Sequence, residues 1–149
     1  MRFAVLAGAL FMAGITQASA ETLAFFTVPQ IAKLPASGED AVGDRVMFSD
    51  DLTSGGKPAG KAAGTCTLTA VSPPMAVCSF AFVLADGTVS TVFALDKDLS
   101  NGFSFPLLGG TGPFVGRTGL GKFTPNIDGK SELVTLAFAD LPAAPSKEP

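Results

Sequence analysis

Few residues in this chain are equipped for chemistry, and the most telling is a carboxylate in apolar company. In RVMFSDDL, Arg45 to Leu52, a period of two puts Val46, Phe48, Asp50 and Leu52 on one face of a strand. Arg45, Met47, Ser49 and Asp51 fall on the other. Asp50 then faces an apolar interior. Loss of water raises its pKa there and fits it to act as general acid or base, or to pair with a developing cation. A second reading stays open, in which Asp50 and Asp51 end the strand and both stand in water before Thr53. Arg45, on the Asp51 face, is placed to make an exposed ion pair of little worth.

Two cysteines and a glycine run are the other candidates. Cys66 and Cys78 are equidistant from Ser72 in the turn VSPP, so a hairpin sets them opposite each other, within reach of a disulfide. Two buried thiols lining a cavity are the alternative. GRTGLGKF, Gly116 to Phe123, has the G-x-x-x-x-G-K spacing of a phosphate-binding loop. That loop needs Ser or Thr next, for magnesium, and a helix whose amides hold phosphate. Phe123 offers magnesium nothing, and Pro125 and Gly129 keep a helix from opening. The six glycines from Gly109 to Gly121 read instead as a bulge, a barrel corner or a close backbone approach. Arg117 and Lys122 among them read as surface residues.

Composition narrows the chemistry further. The 149 residues include no His, Tyr or Trp, but 13 Phe. Without His there is no Ser-His-Asp or Cys-His site and no H-E-x-x-H zinc site. Two Cys cannot build a structural zinc site alone, and no C-x-x-C is present. No metal or cofactor is expected, and catalysis falls to carboxylates, Lys or Arg, hydroxyls, bound water or cavity shape.

The N-terminus reads as a secretory signal peptide over residues 1–20: MR, then the apolar FAVLAGALFMAGI, then ASA with cleavage after Ala20. The run is short for a bilayer span, so the expectation is a secreted or periplasmic protein with no membrane contact after cleavage. Removing Arg2 from the ten Lys and Arg leaves nine against thirteen Asp and Glu. With no basic stripe, nucleic acid is not an expected partner.

From Glu21 onward the chain reads as one all-β domain over 21–141, with a disordered tail over 142–149. Strands are expected near 22–28, 43–52, 63–72, 75–84, 87–96, 102–108, 115–123 and 131–139. ADGT, Ala85 to Thr88, reads as a hairpin with Asp86-Gly87 suited to positive φ. SGGKPAGKAAG, Ser54 to Gly64, reads as a flexible loop. Eight strands on so short a chain point to a closed antiparallel β-barrel, lipocalin-like in shape, with a sandwich as the alternative. Cys78, Phe80, Phe82 and Leu84 share one face, as do Thr91, Phe93 and Leu95, so one side of the sheet is lined by aromatics. The opposite face carries Ala81, Val83, Val92 and Ala94, read either as scattered surface apolar residues or as a subunit interface.

GDRVMFSDDLTSGG, then AGTCTL, then GGTGPFVGRTG, in this order between Gly43 and Gly121, resemble the allene oxide cyclase and dirigent family. The resemblance implies an eight-stranded barrel with an apolar cavity, assembled as a trimer. Phe48 matches the cyclase cavity Phe and Cys66 the cavity Cys. Asp50 falls where cyclases carry Asn and dirigents a functional Asp. The first-strand Glu of cyclases has Phe25 and Phe26 in its place, the dirigent Arg falls on Thr118, and the Tyr residues of the plant enzymes are missing. The expectation is a barrel that binds a small hydrophobic molecule, with Phe48, Cys66, Phe80, Phe82 and Phe93 as walls. Asp50 would act in an isomerase-like cyclisation, or in dirigent-type steering of a coupling. A non-catalytic carrier and a structural barrel with a filled core are the competing expectations.

Overall fold

The computed structural model describes residues 21–34, 40–96, 102–127 and 130–139. The expected signal segment and tail lie outside them. Within them the chain forms β1 (Thr22–Thr27), β2 (Ile31–Leu34), β3 (Arg45–Ser54), β4 (Lys57–Val71), β5 (Pro74–Leu84), β6 (Gly87–Leu95), β7 (Phe103–Leu107), β8 (Gly119–Pro125) and β9 (Glu132–Phe138). All pairings are antiparallel, in the order β6-β5-β4-β3-β1-β9-β8-β7. β2 does not add a ninth position. It pairs with the first half of β3, Ile31 opposite Phe48, while β1 pairs with the second half, Thr27 opposite Leu52. The two are one barrel strand broken at Val28-Pro29-Gln30, where Pro29 has no N–H to give a ladder. The result is a nearly closed eight-stranded barrel.

The ring closes between β6 and the stretch after β7. Ser90 N–H donates to Gly109 O at 2.8 Å, Leu108 N–H to Ser90 O at 3.0 Å and Thr111 N–H to Thr88 O at 2.8 Å. Above them stands Pro106, which cannot donate. Its carbonyl accepts instead from the buried hydroxyl of Thr91. Beyond that point the seam is held by rings, Phe93 lying 5.6 Å from Phe103 and 5.4 Å from Phe105.

Ser54 to Gly64 departs from its expected loop. Gly55 and Gly56, both at positive φ, make a two-residue hairpin turn, and β4 starts at once at Lys57. Lys57 and Pro58 pair with β3 alone, and from Gly60 onward pairing with β3 and β5 on both sides overrides the Gly content. The 85–86 turn has another surprise. No residue in it takes positive φ; Gly87 is needed because a Cβ there would come 2.3 Å from Thr111 O.

Inward and outward faces follow the predicted period. Asp50, Leu52, Cys78, Phe80, Phe82, Thr91 and Leu95 are buried, and Met47, Asp51, Val83 and Val92 are exposed. On the outside of β5 and β6, Val77 pairs with Ala94, Ser79 with Val92, Ala81 with Ser90 and Val83 with Thr88, so hydroxyl residues are interleaved with the small apolar ones there.

One end of the barrel is plugged. After β7 the glycine run crosses beneath the sheet against the 85–88 turn, so closely that a Cβ on Gly110 would lie 1.6 Å from Thr88 O. A 3₁₀ turn at Gly112–Phe114 sets Phe114 on Phe138, ring centroids 5.2 Å apart. Arg117, expected at the surface, lies over the Phe138 ring with 4.6 Å to its centroid and pairs with Glu21. Residues 115–118 are not strand, and this exposed pair lies apart from the pocket lining, as expected of a surface residue. Lys122, in β8, is exposed.

Candidate functional site

The open end holds the site. β1 ends there, β9 begins there, and the break between β1 and β2 crosses its rim. A partly open pocket is lined by Phe48 and Asp50 from β3, Cys66 from β4, Phe80 from β5, Leu95, Phe103 and Phe123, with Pro29, Ile31 and Glu132 at the rim. Its free space is about 440 Å³ counting solvent in the mouth, of which about 60 Å³ stands clear enough of the walls to centre a water. Below it the interior is filled. Phe80 packs 6.1 Å from Phe123, Phe123 4.9 Å from Phe103, and Phe82 stacks on Phe105 at 5.8 Å.

The pocket gathers Asp50, Phe48, Cys66 and Phe80 from the sequence candidates. Phe82 is fully buried and belongs to the floor beneath. Phe93 sits at the seam, 5.8 Å from Phe80, behind the lining rather than in it. Cys66 and Cys78 are joined in a disulfide, so Cys66 is both a bridge and part of the wall. Their alignment is less simple than symmetry about Ser72. The turn pairs Val71 with Pro74 and Ala70 with Met75, a register that would set Cys66 against Ser79. A bulge between Leu68 and Ala70 shifts the ladder by one and brings Cys66 opposite Cys78.

Asp50 is 5% exposed, and its Oδ1 accepts the Gln30 backbone N–H at 2.8 Å. Burial pushes its carboxyl above the ordinary carboxylate range; the Gln30 bond works the other way, and neighbouring Asp51 adds to the rise. Asp51 itself is on the outside, where it meets Lys61 at 2.6 Å and not Arg45. Glu132, unnoticed in the sequence, brings a second carboxyl to the pocket. It too is raised, by burial first and by the charge of Asp50 second. Among the described residues, no Lys or Arg lines the pocket. Period two in ELVTLAF does place Glu132 on the face of Val134, Leu136 and Phe138. Only the β1–β9 pairing reveals that it opens at the Asp50 end.

Similar folds occur among solved structures. Pyocyanin demethylase is 25% identical, with 80% of this chain and 100% of that one aligned and a TM-score of 0.69. The Diels-Alderase AbmU from Streptomyces koyangensis is 18% identical over 85% of this chain and 72% of its own, TM-score 0.69. A pterocarpan synthase dirigent protein is 19% identical over 80% and 88%, TM-score 0.57. This chain has the fold of the dirigent and cyclase barrels. No protein-family model and no curated protein matches its sequence. The fold agrees with the family resemblance carried by the Gly43–Gly121 motifs.

Proposed function

We propose that this barrel binds a small, apolar, ring-bearing molecule in its Phe-lined mouth and moves a proton on it with Asp50 and Glu132. The observation that carries the reading is a buried and a half-buried carboxyl in an apolar wall that has no basic side chain among the described residues. Two such groups crowd each other, so one keeps a proton while the other ionises. Gln30 N–H favours the ionised form of Asp50, which makes Asp50 the base and leaves the proton on Glu132 as the acid. A substrate that carries or develops positive charge is stabilised by the carboxylate and by ring faces. The walls hold it in one conformation away from water, which is how a cyclisation or coupling would be steered. Pyocyanin demethylase, alike over its whole length, supports an enzymatic reading over a carrier. The Cys66–Cys78 bridge and the signal-like N-terminus support action outside the reducing cytoplasm.

The test is native mass spectrometry of protein taken from its own compartment, with organic extraction of whatever co-purifies. Turnover of that compound is then compared in wild type, Asp50→Asn and Glu132→Gln. Both variants are expected to bind it and to lose about 10²-fold or more in rate. Wild-type protein that binds the compound and leaves it unconverted would make the barrel a carrier, and unchanged turnover in both variants would overturn the carboxyl chemistry. Protein that carries no compound and ignores fluorescent apolar dyes would make it a filled structural barrel.

A further inference from the structure

Thr27 is the last residue of β1, and by alternation with buried Phe25 it points inward, while Ala24, Phe26 and Val28 are exposed. It is 2% exposed, and its hydroxyl is the one buried side-chain polar atom among the described residues without a hydrogen-bond partner. A buried hydroxyl without a partner is uncommon, because leaving water uncompensated costs about 1–3 kcal/mol. Its register partners are Leu52 on β3, which offers no polar side-chain atom, and Glu132 on β9. Side chains facing each other across an antiparallel pair have Cβ atoms about 5 Å apart. The Thr27 and Glu132 side chains therefore stand next to each other on one face of the β1–β9 pair.

We propose that Thr27 is a positioning residue for Glu132, its hydroxyl donating to the Glu132 carboxylate once that group has given up its proton. The arrangement parallels the other carboxyl. Gln30 N–H serves Asp50, and Thr27, three residues earlier, serves Glu132, so both donors come from the joint between β1 and β2. Other described groups about Glu132 are placed differently. Asp50 faces it from β3 and only repels its charge, its β8 partner is Pro125, and Lys130 is exposed in the turn before β9. The inference deepens the proposed function by adding a third member to the site. Its test reads a proton equilibrium and not turnover, so the two can fail separately.

The experiment is a carbon-13 NMR titration of glutamate-labelled protein, with the Glu132 carboxyl assigned by its loss in Glu132→Gln. Removing a donor to the charged form raises the midpoint. Thr27→Val and Thr27→Ala are each expected to move it up by about one pH unit, the size of one hydrogen bond to a charged group. Thr27→Ser, which keeps the hydroxyl, is expected to leave it in place. Valine and alanine variants that fold and titrate at the wild-type midpoint would overturn the proposal, as would a serine variant that shifts with them.

Discussion

Asp50 and Glu132 make the stability of the barrel depend on pH in a direction opposite to that of a salt-bridged carboxylate. Both are raised in the folded chain, so on increasing pH the unfolded chain ionises first. From the ordinary carboxylate range up through the raised values the folded state holds more protons, and stability falls. Asp50→Asn keeps an oxygen for Gln30 N–H but removes the ionisation. Its thermal midpoint should match wild type in acid and exceed it at pH 7.5; a lower midpoint at pH 7.5 would mean that ionised Asp50 stabilises the fold. Asp50 was legible in the sequence because one strand carries both the residue and its apolar neighbours. Glu132 and Thr27 were not, because their meaning comes from a pairing between strands about a hundred residues apart.

Among the elements, β6 and β7 form the weak seam. Pro106 removes a donor, and a side chain substitutes for the ladder. Thr91→Val should cost about 1 kcal/mol, the net value of one such bond. Amide exchange at Ser90, Leu108 and Thr111 should then quicken relative to β5, as local opening requires. Unchanged exchange at those three amides would show that the seam is held by the Phe rings alone. Strand identity was largely legible here, from alternation in β3, β5 and β6. What escaped was β2, four residues beside a proline, and the first half of β4, where Gly and Pro masked a strand that pairs with β3 from Lys57 and with β5 as well from Gly60. Local composition governs a turn, but a strand flanked by two partners is decided by them.

At the scale of the molecule, the barrel has one end for chemistry and one for stability. Phe114 closes the lower end over Phe138, far from the carboxyls. Phe114→Ala should lower stability by about 3–5 kcal/mol through the cavity it leaves, with the Asp50 and Glu132 titrations unmoved. A shift in either midpoint would show that the two ends are coupled. Closure into a barrel was legible from eight alternating segments on a short chain. Which end opens was not, since it depends on where the glycine run crosses. Glu21 and Phe138 meet at the plugged end, the Phe138 N–H donating to the Glu21 carbonyl at 2.9 Å. The polypeptide therefore enters and leaves the barrel at neighbouring points behind the plug. A surface tether or fused domain attached at either point leaves the mouth facing solution. A short linker from residue 139 back to residue 21 would let the chain be cut anew at the Gly55-Gly56 turn, with the strand order of the barrel preserved.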